Sequence, residues 1–214
     1  MSHPSAVHQT VEHYRKLAAV YDDRWGRYTA RTLLKALDAL ALSGTERLLD
    51  VGCGTGELEQ LALQRMPGLR ILGLDATPAM VVIARKKLAG VAGVSLAVGH
   101  AEALPYEAAQ FDAVVSSSML HHVRQPQTML QECARVLRPG GRIVIADWCG
   151  DFWRARALQV WARLVDRVYV RMYRATTLAR LLEQAGFTVE RAERFVAPPC
   201  YGMMCLTAIK AEAS

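Results

Sequence analysis

Apolar residues recur at helical spacing over residues 5–20 and again over 29–42, where TARTLLKALDALAL sets its leucines on one face. From residue 46 the pattern changes to short apolar runs separated by helical segments. ERLLDV reads as a buried strand ending in glycines, GELEQLALQRM as a helix, and LRILGLD as a strand. TPAMVVIARKKLA follows as a helix with Thr77 as N-cap and Pro78 at the first helical position. GVSLAVG and FDAVVSSS are strands, PQTMLQECARVL is a helix closed by PGG, and RIVIAD is the fifth strand. After Asp147 come an arginine- and aromatic-rich helical stretch, the helix TTLARLLEQAG, and two strands, FTVERAERFV and YGMMCLTAIKA, which read as a hairpin-like finish. Strands and helices alternating at this spacing predict an α/β fold, a doubly wound and mostly parallel seven-stranded sheet. The expected organisation is a single domain: an N-terminal helical lid over 1–42, a core over 46–147, a helical cap over 151–174, and a C-terminal helix and strands over 175–214.

Composition narrows this picture. The 214 residues are 52% hydrophobic, enough for one well-packed domain. No apolar run approaches the ~18 residues that a bilayer-spanning helix needs. The N-terminus lacks a basic start followed by an apolar core, so it does not read as a signal peptide. Five scattered cysteines without a CxxC pair argue against disulfides and a zinc site, and a reducing cytoplasm is the expected location. A net charge of +6 suits an anionic partner but is also common in ordinary enzymes.

The chemistry concentrates in LLDVGCGTGE, residues 48–57. Gly52, Gly54 and Gly56 follow a buried strand, and bare backbone there allows both a sharp turn and the close approach of a ligand. Dinucleotide sites read G-x-G-x-x-G and seat a pyrophosphate on the helix N-terminus. Here the third glycine comes one residue early, and Glu57 stands where that motif has glycine. Asp50 adds a second acid before the loop. Two acids suit a ligand with positive charge, and S-adenosylmethionine carries a sulfonium and an ammonium beside a bare adenosine. Asp75 ends the second strand nineteen residues past Gly56, where a carboxylate accepts hydrogen bonds from both ribose hydroxyls.

Taken in order, AAVYDDRW, LLDVGCGTG, GLDATPAM, GHAEALPYEAAQFDAVVSSSMLHHV and LQECARVLRPGG resemble the class I S-adenosylmethionine-dependent methyltransferases. Within these the chain looks closest to the ubiquinone/menaquinone-type and other small-molecule enzymes. The resemblance spans about residues 10–147. It implies that Asp50, Gly52, Cys53, Gly54 and Gly56 hold the methionine end of the cofactor. Asp75 would hold the ribose, with Ala76 and Met80 against the adenine. His100 and Ala101 would read the adenine edge, Ser117 would face the cofactor, and Tyr14 and Tyr21 would belong to a lid. His100 departs from the family, which usually has Asp or Asn there; Glu102 is the alternative adenine partner.

Methyl transfer is an in-line displacement that needs alignment of nucleophile and methyl, and a base when the nucleophile carries a proton. His122 is the first candidate base and His121 the second; the alternative is that the pair merely builds this loop. The loop lacks the Asn/Asp-Pro-Pro-aromatic motif of enzymes that methylate nucleic-acid bases, so no nucleic-acid partner is expected. Residues 151–174 hold Phe152, Trp153, Trp161, Tyr169 and Tyr173 with six arginines against two aspartates. That composition suits an apolar acceptor, quinone-like or lipid, and peripheral contact with an anionic membrane. It equally suits a helix with one buried aromatic face and one solvated basic face. A non-catalytic binder of S-adenosylmethionine or a nucleotide, and a nicotinamide-type oxidoreductase, are the competing classes.

Overall fold

The computed structural model describes residues 6–155, 159 and 171–212. In chain order, α1 (Ala6–Leu17) runs through a short 3-10 turn (Ala18–Val20) into α2 (Tyr21–Leu40). Then follow β1 (Arg47–Val51), α3 (Glu57–Arg65), β2 (Arg70–Asp75), α4 (Pro78–Lys87), β3 (Val94–Val98) and β4 (Phe111–Ser117). A second 3-10 turn (Leu120–His122) leads to α5 (Pro126–Val136) and β5 (Leu137–Trp148). The chain finishes with α6 (Ala175–Gln184), β6 (Phe187–Ala197) and β7 (Tyr201–Lys210). One seven-stranded sheet has the order β3-β2-β1-β4-β5-β7-β6. Its first five strands are parallel, and β7 enters antiparallel between β5 and β6.

The inner strands β1, β2, β4, β5 and β7 are largely apolar because they are covered on both faces, whereas the edge strands β3 and β6 are partly exposed. Side chains alternate between two cores, as a period of two requires. Leu49, Val114, Ile143, Ile145 and Leu206 face the layer of α5 and α6. Leu48, Ile71, Ala113, Val115, Val144 and Cys205 face α2 and α3.

Three sequence expectations change. First, α2 begins at Tyr21, eight residues before the leucine-rich pattern. YDDRWGRY lacks helical apolar spacing because its side chains serve a polar network and an aromatic cluster: Trp25 and Tyr28 pack with Trp148 and Tyr201. The far end of α2 does not cover the site: Ala36, Leu37 and Leu40 are buried in the core. Second, PGG does not cap α5. The helix ends at Val136 and the chain passes straight into β5, where Arg138–Gly141 form a bulge between the pairs Phe111–Leu137 and Ala113–Arg142. Third, Thr77 holds the N-cap position of α4 but makes no side-chain cap. Most of the expected cap, including Trp161 and Tyr169, lies outside the described residues.

Candidate functional site

The sheet order reverses between β1 and β4, which leaves a crevice at the C-terminal ends of the strands. A cavity of about 910 Å³, mouth included, opens there. Tyr21, Gly52, Gly54, Asp75, Ala76, Met80, His100, Ala101, Glu102, Ser117 and His122 all line it, and Tyr14 joins them from α1. Asp50, Cys53, Gly56 and His121 do not. Asp50 and Cys53 are buried behind the loop, and Gly56 sits against Ala84 of α4 and Leu88 just past its end.

The loop is tied down from within. The N–H groups of Gly52 and Cys53 both donate to the carbonyl of Leu74, at 2.7 and 3.1 Å, and that of Gly56 donates to the Cys53 carbonyl at 3.0 Å. The Gly54 N–H donates to Asp75 Oδ2 at 3.0 Å, and Thr77 N–H to Asp75 Oδ1 at 2.7 Å. These four loop donors are therefore committed to protein acceptors, whereas a phosphate site needs such donors free. A Cβ on Gly54 would meet no atom within 4 Å, so the space it leaves belongs to the cavity. Its φ of +54° is also the left-handed region that glycine favours.

Asp75 takes one backbone bond on each oxygen and retains lone pairs toward the cavity. Burial raises its carboxyl pKa, and the bonds from Thr77 and Gly54 oppose that rise. The group is thus a fixed two-oxygen acceptor, suited to a ribose diol. Glu102 accepts the Gln125 N–H through Oε1 at 2.9 Å, which anchors it at the cavity wall beside His100.

Glu57 does not act as expected. Its carboxylate meets Lys87 Nζ at 2.7 Å, and Lys87 reaches Asp22 Oδ2 at 2.7 Å. Thr55 Oγ1 donates to Asp22 Oδ1 at 2.6 Å. Burial alone would lower the Lys87 pKa, but Asp22 and Glu57 raise it overall. This network fastens α2, the glycine loop, α3 and α4 together, and neutralises the acid that the sequence assigned to the ligand. The acid with no such partner is Glu59, fully buried on the apolar face of α3 beside Leu58, Ala62 and Leu63. Its burial was not legible in the sequence, where a charge in a helix reads as solvated.

The two histidines part company. His122 lies on the cavity wall, and its Nε2 is 2.7 Å from the hydroxyl of Tyr14. His121 turns inward: Nδ1 is 2.6 Å from Asp147 Oδ1, and its ring stacks on Trp148 at 4.8 Å and 7°. The sequence reading also missed Thr10, Val11, Val123 and Arg124 as lining residues. Val123 and Arg124 follow the histidine pair directly and were the two with a positional signal.

Among the described residues, no group of His, Cys, Asp and Glu is arranged to hold a metal ion, and no helix is long and apolar enough to cross a membrane. The donor set fits S-adenosylmethionine: a bare loop with committed N–H groups, a fixed carboxylate for the ribose, and a half-apolar wall for the adenine.

A family model described as a methyltransferase domain matches residues 49–145. An uncharacterized methyltransferase of Synechocystis is 34% identical over 163 residues, which cover 72% of this chain and 73% of that protein. A demethylmenaquinone methyltransferase of Thermus thermophilus is 34% identical over 136 residues, 63% of this chain and 58% of that protein. Among solved structures, the [4+2]-cyclase SpnF shares the fold at a TM-score of 0.79 and 20% identity, covering 95% of this chain and 96% of that one. The chain spans about half the length of the curated relatives it matches first, 46%, 54% and 58%. With the sequence match covering the glycine loop, Asp75 and the histidine pair, and the sheet order and crevice in place, the chain belongs to the class I S-adenosylmethionine-dependent methyltransferases.

Proposed function

We propose that this chain transfers the methyl group of S-adenosylmethionine to a small apolar or amphipathic acceptor of quinone-like or lipid class. The observation that carries the reading is the cavity itself. One wall offers the fixed Asp75 carboxylate and the Gly52–Gly54 backbone; the other offers His122 and Tyr14 among Val11, Met119 and Val123. When bound, the cofactor supplies an electrophilic methyl on a sulfonium. The neutral sulfur that leaves needs no acid, so the protein's part is alignment and, for a protonated acceptor, removal of a proton. Asp75 fixes the ribose, and α1 excludes water from above. With the Tyr14 phenol donating to Nε2, His122 is in the Nδ1–H tautomer, and the acceptor's proton reaches Nε2 by relay: the Tyr14 oxygen takes it as its own proton passes to Nε2. An apolar acceptor is supported by the lining and by the likeness to a demethylmenaquinone methyltransferase. Peripheral contact with an anionic membrane forms part of the proposal, resting on Trp153, which is 73% exposed with the Arg154 guanidinium 5.3 Å from its ring.

The test is a mass-shift screen of cell extract incubated with the protein and methyl-labelled S-adenosylmethionine. A labelled apolar product is expected, and His122→Gln should lower kcat by roughly 10²–10⁴-fold while leaving cofactor affinity intact. Cofactor binding without any S-adenosylhomocysteine formed would replace the enzyme reading with that of a non-catalytic binder.

A further inference from the structure

Behind the glycine loop two carboxyl groups share a closed space. Asp50 on β1 pairs in register with Gly73 on β2, so the two residues present the same face of the parallel sheet. A Cβ on Gly73 would run into Glu59 Oε1 from α3 and would lie 3.0 Å from the Cβ of Cys53. The Glu59 carboxyl therefore fills the notch that Gly73 leaves, on the face to which Asp50 points. Glu59 is fully buried and Asp50 is 2% exposed. Neither oxygen of Glu59, nor Oδ1 of Asp50, has a hydrogen-bond partner.

The charged and titratable groups facing this space are few. The loop contributes Cys53 and β2 contributes Asp75, both of which can only add negative charge. The cation is Lys87 of α4, and it is already engaged by Asp22 and Glu57. Two buried carboxylates without a cation cannot both remain ionised at low cost. A single proton solves the problem: one carboxyl becomes an O–H donor, the other accepts, and two orphaned oxygens are satisfied at once.

We infer that Asp50 and Glu59 hold one proton between them in the ligand-free protein, and that a sulfonium cofactor docking over Gly52 and Gly54 drives that proton to solvent. The inference rests on the S-adenosylmethionine reading of the cavity. Positive charge arriving on the far side of a thin, water-poor loop stabilises the fully ionised pair. Once the methyl has left, the sulfur is neutral and the pair takes a proton back from solvent. The pair thereby makes the site's charge follow the cofactor's charge, holding substrate more tightly than product. Burial first, then the neighbouring Asp75, raises the Glu59 carboxyl to about 7, and Asp50 is pushed well above its usual range by burial and by Glu59. The exchange therefore falls in the neutral range.

The experiment is calorimetry of the full chain at pH 7 with S-adenosylmethionine and with S-adenosylhomocysteine, each in buffers of different ionisation enthalpy. About half to one proton released with the first ligand and about none with the second is the expected result. Glu59→Gln should bind S-adenosylmethionine without proton release. Equal proton counts for the two ligands, or release that survives in Glu59→Gln, would overturn the inference while leaving the cofactor reading intact. Failure of both ligands to bind would overturn the cofactor reading and this inference with it. Infrared titration of the ligand-free protein gives an independent answer. A protonated carboxyl C=O band should persist at about pH 6, above the range of ordinary carboxyls, fade across neutrality and change in Glu59→Gln; its absence from the wild type at that pH would refute the shared proton even if the variant failed to fold.

Discussion

Asp75→Ala is the substitution whose outcome the geometry specifies most fully. The carboxylate receives two backbone N–H groups, from Gly54 at 3.0 Å and Thr77 at 2.7 Å, and lines the cavity. Removing it takes away a charged acceptor for two ribose hydroxyls, each bond worth roughly 1.5–3 kcal/mol. Water refills part of the space, so the net loss in binding should be about 2–4 kcal/mol, a roughly 30- to 1,000-fold weaker Kd. The loss should be the same for S-adenosylmethionine, S-adenosylhomocysteine and adenosine, because all three carry the same ribose. Asp75→Asn retains one oxygen and should fall between. Burial already works against the Asp75 charge, so its removal relieves a penalty as well as freeing two N–H groups, and the thermal midpoint should move little. Titration calorimetry with the three ligands decides the matter. Affinities indistinguishable from wild type would refute the ribose assignment, and a loss confined to S-adenosylmethionine would move the residue to the methionine end.

Gly54→Val should abolish cofactor binding in calorimetry, because the new side chain enters open cavity, and should cost about 1–3 kcal/mol of stability for a β-branched residue at φ +54°. Amide exchange in α1 should slow when S-adenosylhomocysteine is added, since Thr10, Val11 and Tyr14 line the cavity; equal exchange would count against a lid. Glu59 has a folded pKa of about 7 against an ordinary 4.5, so the native state holds its proton more tightly. That stabilisation is fully present below the unfolded pKa and is lost as pH rises through the folded one, by about 3 kcal/mol in all. Urea denaturation should thus show Glu59→Gln more stable than wild type at pH 8, with the advantage shrinking toward pH 5; parallel pH profiles would contradict it. Co-sedimentation with liposomes should require anionic lipid and weaken with salt, and protein remaining in the supernatant at low salt would end the membrane proposal.

The inner core was legible because β1, β2 and β3 are short apolar runs closed by a glycine or an acid, and α4 and α5 each open on a proline. What escaped did so for identifiable reasons. Pro139-Gly140-Gly141 is as good a helix terminator as it is a bulge, and only the pairing of Leu137 with Phe111 separates the two. Tyr21–Tyr28 is helix built from residues chosen for a salt-bridge knot and an aromatic cluster, so its periodicity is hidden. The meeting of Gly52, Gly54 and Asp75 at one cavity was readable because the family's spacing is rigid. Glu57 and Glu59 were not, since the sequence shows two acids two residues apart and only packing reveals that one is paired with Lys87 and the other sealed against Gly73. His121 and His122 are adjacent for the same kind of reason: a 3-10 turn sends one ring to Asp147 and the other to the cavity.

The placement of β7 reverses the order in which the sheet is made and the order in which it can be completed. Synthesis delivers β6 first, yet β6 touches the sheet only through β7, the strand that follows it. Until β7 has slotted beside β5, β6 is an unsupported ribbon with a free edge on each side. Its middle is written as Glu190, Arg191, Glu193 and Arg194, and charges of both signs at a waiting edge discourage pairing with another chain. Pairing of β6 into the sheet therefore requires β7 to be in place, and the charges on β6 suit a strand that must wait for its partner.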